Sequence, residues 1–388
     1  MKSYCQRDSF LIFGAPAIED AEIAEVVSVI RSGWIGTGPR VAAFERDFQS
    51  YKGAAHAVAV NSATAALHLS FIAAGLKQDD EVITTANTFC ATVNAIIHTG
   101  ATPVLVDIDP ITCNIDVSRI EEAITERTRA ICPVHYAGLP CEMDEIEKLA
   151  RKYGLQIIED CAHAIETRYQ GREAGTIGDF GCFSFYVTKN VVTAEGGMIT
   201  TKQEGLADRL KILALHGMTK DAWKRFGDAG YKHYKVVEAG FKYNMTDIQA
   251  ALGIHQLARV EKNWVRRREI WDTYSARLKS LPLGLPAAPR EGDRHAYHLF
   301  PIRVNPARAG IERDDFLNEM TARKIGVGVH YLSIPEHPFY QDEFGWTPDA
   351  FPEAKQFGRE TVSLPLSANL TDRDVDDVIL AIEDCLGR

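Results

Sequence analysis

The sequence predicts an α/β fold with a mostly parallel central sheet and a smaller C-terminal α+β domain. Strand-like and helix-like segments alternate from about residue 55 to about residue 215, which is typical of βαβ units. The chain has 388 residues and a hydrophobic fraction of 46%, enough to bury the core of two packed domains. We place a large domain at 1–261 and a small domain at 262–388.

The first predicted element is an amphipathic helix near the N-terminus. Ile23, Val26, Val27 and Ile30 recur at helical spacing, and Gly33 is a suitable residue to end the helix. This helix is a candidate to pack on the small domain.

Short β-rich runs and helical patterns then follow one another along the chain. The predicted strands are 58–60, 81–85, 103–107, 129–134, 155–160, 181–187 and 197–201, and the predicted helices between them are 64–76, 88–98, 117–124 and 143–152.

A different order of predicted helices and strands begins after residue 245. The pattern is helical over 246–281 and is then broken by three prolines between residues 282 and 289. A strand at 297–304, a helix at 313–323, a strand at 326–331 and a final helix at 372–386 follow. This order of elements predicts the smaller α+β domain.

Charge and composition exclude several functional classes. The net charge of −10 argues against a nucleic-acid or membrane-surface partner. No apolar run approaches the roughly 20 residues that span a bilayer, and the first eight residues are too polar to open a signal peptide. We therefore expect a soluble, cytoplasmic protein. Its eight cysteines form no CxxC pair, and we expect Cys161 and Cys182 to be buried structural residues.

Two side chains at strand ends suggest a cofactor site. Asp160 ends a predicted central strand, and Lys189 follows another strand 29 positions later (189 − 160). Ligands of open α/β sheets bind at the carboxyl edge, where a carboxylate can hold the proton of a pyridine ring and a lysine can present an amine. Each residue alone also has an ordinary interpretation, Asp160 as a helix N-cap and Lys189 as a surface lysine.

A phosphate site is predicted where a strand turns into a helix at 61–64. Small residues at a helix start leave backbone N–H groups that can bind a phosphate, although Asn61 or Ser62 could simply cap the helix. Phe89, after the next strand, could stack on a flat ring or belong to the core.

Taken together, these residues and their motifs resemble the DegT/DnrJ/EryC1/StrS family of nucleotide-sugar aminotransferases. The motifs are GWIGTGP at 33–39, NSATAALHL at 61–69, VDIDP at 106–110, IEDCAHA at 158–164, SFYVTKN at 184–190 and GFKYNMTDIQAA at 240–251. The resemblance implies fold type I of the pyridoxal phosphate (PLP) enzymes, the fold of aspartate aminotransferase.

The resemblance also implies a role for each matching residue. Lys189 would bind PLP covalently, and Asp160 would pair with its ring nitrogen. His163 would lie beside the ring hydroxyl as a third catalytic residue, and its alternative interpretation is a hydrogen-bonded structural histidine near the sheet edge. The other implied cofactor contacts are Ala63, Thr64 and Ser184 at the phosphate, Phe89 on the ring, and Asn244 reaching the phosphate in the neighbouring subunit. These roles imply a homodimer with shared active sites.

The resemblance further implies two substrates and an intermediate cofactor form. L-Glutamate would be the amino donor, pyridoxamine phosphate the intermediate, and a UDP-, dTDP- or GDP-linked keto sugar the acceptor. The motifs IEDCAHA at 158–164, HYAG at 135–138 and GFKYN at 240–244 are most similar to those of members that aminate C4 of a UDP- or dTDP-linked 4-keto-6-deoxyhexose or 4-keto-pentose. Thr37, His330 and Tyr331 are candidate substrate contacts. His330 with Glu336 and His337 could suggest a metal cluster, but the prolines nearby favour a turn, and we predict no metal.

Other functions remain open at this point. Amination at C3 and a PLP-dependent sugar dehydratase are alternatives, although related dehydratases replace the lysine with histidine. Gly33, Gly36 and Gly38 could suggest a nicotinamide-dependent oxidoreductase, but no strand precedes them, as the phosphate fingerprint requires. A non-catalytic binding protein on this fold would need an effector module, for which residues 1–17 leave no room.

Overall fold

The computed structural model describes residues 6–219 and 233–387. Its first helices and strands are α1 (Asp20–Ser32), α2 (Pro39–Lys52), β1 (His56–Val60), α3 (Ala63–Ala73), β2 (Glu81–Thr85), α4 (Cys90–Ile97), β3 (Thr102–Val106), β4 (Thr128–Cys132), α5 (Met143–Tyr153), β5 (Gln156–Asp160), β6 (Arg168–Tyr169), β7 (Arg172–Glu173), β8 (Phe180–Ser184), β9 (Gly197–Thr201) and α6 (Glu204–Leu213). The later ones are α7 (Asp247–Ala258), α8 (Val260–Arg277), β10 (Phe300–Arg303), α9 (Pro306–Ala309), α10 (Arg313–Ala322), α11 (Pro338–Phe344), α12 (Pro352–Glu360), β11 (Thr361–Leu364) and α13 (Asp372–Cys385).

The central sheet confirms the predicted fold class. Within the described residues its strand order is β1-β9-β8-β5-β4-β2-β3. The strands from β8 to β3 pair in parallel, whereas β9 is antiparallel to both of its neighbours, β1 and β8. Every residue of β2 and β9 is buried, as expected for a sheet covered by helices on both faces.

Two predicted elements are wrong in type. Residues 117–124 form two short 3₁₀ turns instead of a helix, because the side chain of Asp116 accepts a hydrogen bond from the Ser118 amide and caps the first turn. Residues 326–331 form only an isolated bridge, between Gly328 and Ser363, and no strand ladder. A Cβ on Gly326 would lie 2.7 Å from the carbonyl oxygen of Leu11, so this glycine allows the two segments to approach closely.

The long helical pattern at 246–281 is two helices in the structure. α7 and α8 are separated at Arg259, whose backbone leaves the helical conformation. The Arg259 side chain donates to the carbonyl of Ala17 at 2.7 Å and pairs with Glu22 of α1. This pair, in which the Glu22 side chain is fully buried, holds α1 against the junction of α7 and α8.

The apolar side chains of α1 are less buried than the helical pattern predicts. Val29 is buried, but Ile23 and Ile30 are 54% and 55% exposed. The nearby Trp34 and Ile35 are also exposed. An apolar surface thus lies uncovered on the single chain.

The C-terminal part of the chain has an apolar cluster of its own, built from residues between Ile270 and Ile382, with Leu11 packed against it. β10 and β11 pair within this part. On this packing we retain the division into 1–261 and 262–388 as a proposal.

The cysteines are free thiols throughout the described residues, and Cys5 lies outside them. Cys161 and Cys182 are buried as predicted, and burial raises the pKa of both thiols. Along residues 6–219 and 233–387, no helix combines the length and the apolar character needed to cross a membrane.

Candidate active site

The sheet brings Asp160 and Lys189 to the same edge. Asp160 is the last residue of β5, in register with Cys182 of β8, and the two strands run parallel. β8 ends at Ser184, and the chain then turns so that the Lys189 amide donates to the carbonyl of Tyr186 at 2.8 Å. The carboxylate and the amine therefore reach one cleft from adjacent strands.

The cleft lies at the carboxyl edge of the sheet and has a volume of about 1100 Å³, including its open mouth. It collects six of the residues predicted to bind a cofactor and two predicted to bind substrate: Ala63, Thr64, Phe89, Asp160, Ser184, Lys189, His330 and Tyr331.

One wall of the cleft is the N-terminus of α3. Ser62 caps this helix by accepting a hydrogen bond from the Ala65 amide at 3.0 Å. The amides of Ala63 and Thr64, in the first turn, have no partner within the helix and can receive an anion. A Cβ on Gly197 would lie 2.5 Å from the Ser62 carbonyl carbon, so only glycine lets β9 approach this turn so closely.

The Asp160 carboxylate is buried, with 4% of the residue exposed. One oxygen accepts from the Thr92 hydroxyl at 2.8 Å and the other from the Ala162 amide at 3.0 Å. No helix follows Asp160, so the N-cap interpretation is wrong. Burial raises the pKa of Asp160, and its hydrogen bonds and the nearby Lys189 oppose that shift. A buried carboxylate of this kind is suited to pair with a protonated ring nitrogen.

The Lys189 amine is partly withdrawn from water. Burial lowers its pKa to about 8, and the charge of Asp160 opposes the shift. A lysine with this pKa has a substantial uncharged fraction near neutral pH, as a nucleophilic amine requires.

Phe89 and Tyr331 are far apart in the sequence, and both line the cleft. Phe89 is the residue before α4 and is 56% exposed, and its ring lies 5.7 Å from the Tyr331 ring. An exposed aromatic face above the cleft can cover a flat ring.

His163 is buried behind this cleft and contacts it through Tyr331. The Nε2 atom of His163 is 3.0 Å from the Tyr331 hydroxyl. His330 lines the cleft itself, with its Nδ1 atom 2.9 Å from the Ser363 hydroxyl, and burial lowers the pKa of His330 to about 4.

Asn244 and Thr37 are not among the described residues that line the cleft of their own chain. Instead, the Asn244 side chain donates to the Thr37 hydroxyl at 2.6 Å, and that hydroxyl donates to the carbonyl of Met245.

The candidate metal cluster at residues 330–337 is not assembled in the structure. Glu336 instead accepts a hydrogen bond from Arg359 at 2.7 Å. Elsewhere, His135, Glu159 and Cys161 lie close together. The Glu159 carboxylate, however, is 3.0 Å from the Nε2 atom of His135 and accepts hydrogen bonds from three backbone amides between residues 175 and 178. These hydrogen bonds are typical of a buried carboxylate with a structural role.

Sequence reasoning missed Thr92. Its hydroxyl contacts the Thr88 hydroxyl at 2.7 Å as well as donating to Asp160. A signal was present, because Thr92 follows Phe89 by three positions at the start of α4 and so shares its side of the helix.

Comparison with known proteins decides the family. Residues 16–383 match the DegT/DnrJ/EryC1/StrS aminotransferase family. The chain belongs to this family. It is 46% identical to the spore coat polysaccharide biosynthesis protein SpsC of Bacillus subtilis over 380 residues, 98% of each chain. It is 48% identical to an uncharacterized protein of Methanocaldococcus jannaschii over 97% of this chain and 98% of that protein.

Solved structures agree with this assignment. Spr1654 from Streptococcus pneumoniae, described as a sugar aminotransferase, matches in its PLP form with a TM-score of 0.89 and 34% identity, over 97% of this chain and 99% of that chain. Its PMP form, with pyridoxamine phosphate, also matches with a TM-score of 0.89. The protein is therefore a PLP-dependent sugar aminotransferase.

The residues of the cleft fit this cofactor. The helix start at Ala63 and Thr64 is suited to the phosphate, and the close approach of Gly197 shapes the turn around it. The buried Asp160 has no cation bonded to it in the described chain, and Lys189 faces the same space.

Proposed function

We propose that this aminotransferase moves the amino group of L-glutamate to the C4 keto group of a nucleotide-linked deoxy sugar. The observation that carries the proposal is the convergence of Lys189 and Asp160 on one cleft beside the helix start at Ala63. The motifs at 158–164 and 135–138 support C4, and the similarity to SpsC, a protein of spore coat polysaccharide biosynthesis, supports a sugar acceptor.

The cofactor residues have complementary roles in this proposal. When bound, PLP supplies the group that carries nitrogen between substrates and the ring that withdraws an electron pair. Asp160 would keep a proton on the ring nitrogen. Ala63, Thr64 and Ser184 would hold the phosphate, and Phe89 would cover the ring.

Lys189 would also move protons during the reaction. Its uncharged amine would take the proton from the α carbon of L-glutamate, and in the second half-reaction it would deliver a proton to C4 of the sugar. The balanced result is 2-oxoglutarate and an amino sugar. Partial burial supports this role because it favours the uncharged amine.

Substrate contacts are proposed in the cleft and across a dimer. His330 and Tyr331 line the cleft, where a sugar nucleotide could contact them. Asn244 and Thr37, which bond to each other and do not line their own cleft, would act in the cleft of a second subunit. We propose a cytoplasmic homodimer with shared active sites.

The first test is spectroscopic. The purified protein with PLP is expected to show the long-wavelength band of lysine-bound PLP, and L-glutamate should convert it to the spectrum of the amine form. Lys189→Ala should lack the band and should not turn over. A colourless Lys189→Ala protein with full activity would overturn the assignment.

The second test identifies the sugar. The enzyme is incubated with L-glutamate and with UDP-, dTDP- and GDP-linked 4-keto and 3-keto sugars, and products are read by mass. Conversion of a 4-keto sugar supports the proposal. Turnover of 3-keto sugars alone would exclude C4 as the site of amination.

A further inference from the structure

Asn190 directly follows Lys189 and makes an unusually complete set of side-chain hydrogen bonds. Its Nδ2 atom donates to both carboxylate oxygens of Glu166, at 3.0 and 2.8 Å, and to the carbonyl of Ala296 at 2.9 Å. All three partners are acceptors, so they identify the nitrogen end of the amide. The Asn190 oxygen must then face His298, whose Nδ1 atom is 2.9 Å away.

This contact fixes the tautomer of His298. An amide oxygen only accepts hydrogen bonds, so Nδ1 of His298 carries a hydrogen. The His298 ring lies 4.4 Å from the His163 ring, at an interplanar angle of 38°. Both residues are buried, and burial lowers the pKa of each histidine well below its usual value.

His163 is oriented in the opposite sense. Its Nδ1 atom accepts a hydrogen bond from the Ala137 amide at 3.2 Å, so the uncharged ring carries its hydrogen on Nε2. That atom faces the Tyr331 hydroxyl at 3.0 Å, at the border of the cleft. Asn190 therefore sets the hydrogen position on His298, and the Ala137 amide sets the hydrogen position on His163, whose Nε2–H points towards the cleft.

We propose that Asn190 is a positioning residue that holds His298 as the uncharged Nδ1–H tautomer and so keeps positive charge away from the neighbouring His163, whose Nε2–H is directed at Tyr331 on the border of the cleft. This inference rests on the proposed place of His163 beside PLP. An uncharged His163 can donate to the Tyr331 hydroxyl at the border of the cleft without adding positive charge next to Lys189. Packing of the two rings at 4.4 Å transmits the effect, because a charged His298 would face His163 directly.

Glu166 anchors this arrangement from the other side. It is buried, burial raises its pKa to about 7, and Arg267 lies 3.9 Å away. Replacing Asn190 with Asp would place a second carboxylate beside Glu166 and offer a negative partner to Nδ1 of His298. The negative partner at Nδ1 favours a proton on His298, because an opposite charge stabilises the imidazolium.

The test uses histidine labelled with ¹⁵N in the cofactor-free protein near pH 7. Two-bond ¹H–¹⁵N correlations distinguish the two tautomers and the charged ring, and the signals are assigned by their loss in His163→Gln and His298→Phe. The expected wild-type result is Nδ1–H for His298 and Nε2–H for His163. An Nε2–H or charged His298 in the wild type would overturn the inference without any other variant.

Asn190→Asp supplies the second arm. We expect the His298 signals to change to the charged pattern and the affinity for PLP to fall about tenfold, because a buried positive charge beside His163 disturbs the side of the cleft that receives the ring. Unchanged histidine patterns and unchanged PLP affinity would refute a positioning role. The spectra need no sugar, so failure of the proposed sugar specificity would leave them unaffected.

Asn305→Asp is the matched control. Asn305 also donates its amide to a glutamate, Glu360, at 2.7 Å, but in the C-terminal part of the chain. The same substitution there tests the general cost of a second carboxylate. It should leave both histidine patterns and PLP affinity as in the wild type, even where it lowers the melting temperature.

Discussion

At the scale of single residues, burial of Lys189 determines when its amine can react. With a pKa of about 8, about a tenth of the amine is uncharged at pH 7, compared with about one part in 3000 for an ordinary lysine. We predict that PLP capture by the cofactor-free enzyme accelerates about tenfold between pH 7 and 9 and then levels off. Stopped-flow absorbance measures this rate.

The direction of this pH dependence follows from the lowered pKa of Lys189. A lowered lysine pKa moves the rise in rate to lower pH, because the reactive form is the deprotonated one. Lys189→Ala should show no capture at any pH, which separates this amine from surface lysines. A rate that continues to rise steeply above pH 9 would contradict the shift.

Asp160 and Thr92 allow a graded prediction. Asp160→Asn keeps the shape but removes the charge that pairs with the ring, and we expect kcat to fall on the order of 100- to 1000-fold with PLP still bound. Thr92→Val removes only one hydrogen bond to Asp160, and the loss should be about 5- to 10-fold. Steady-state kinetics and the PLP absorbance measure both. Equal losses in the two variants would show that charge is not the main contribution of Asp160.

At the scale of elements, the contact between β9 and the start of α3 shapes the phosphate site. In Gly197→Ala the new methyl group would lie 2.5 Å from the Ser62 carbonyl carbon and must displace the turn. We expect a loss of about 1–3 kcal/mol in the free energy of unfolding and weaker PLP binding. Denaturant unfolding and a PLP titration measure the two effects.

Gly205→Ala is the control for this substitution. Gly205 lies in α6, and a Cβ there would meet nothing within 4 Å. Alanine favours the helix by about 1 kcal/mol, so this variant should be as stable as the wild type or slightly more stable. A similar destabilisation in both variants would argue against the close contact as the cause.

Elements that follow a simple period were predictable from the sequence, and those decided by distant contacts were not. β5 was expected at 155–160 and is Gln156–Asp160, because its buried run is continuous. The segment 117–124 has apolar residues at helical spacing, yet Asp116 caps a 3₁₀ turn there. Arg259, at the break between α7 and α8, pairs with Glu22, more than 230 positions earlier, and no local pattern reveals this contact.

The same limit applies to the site. Asp160 and Lys189 could be found because each follows a strand whose end lies at the binding edge. The hydrogen bond between His163 and Tyr331 joins residues 168 positions apart. Such contacts require the folded chain.

At the scale of the whole molecule, the exposed apolar side chains of α1 and the segment after it support a second subunit. Ile23, Ile30 and Ile35 are each more than half exposed, although their spacing is that of a buried helix face and its continuation. A surface of this kind is usually covered by a partner. We predict a particle of two chains by light scattering.

A mixture of two inactive variants tests whether the sites are shared. If Lys189 of one subunit works with Asn244 of the other, a mixed dimer of Lys189→Ala and Asn244→Ala has one intact site and one site with both defects. Random exchange of subunits makes half of the dimers mixed, so the mixture should regain about a quarter of wild-type activity at limiting PLP. Each variant mixed with itself and treated identically is the control. If the mixture regained no activity while mass measurement showed mixed dimers, each site would be built within one chain.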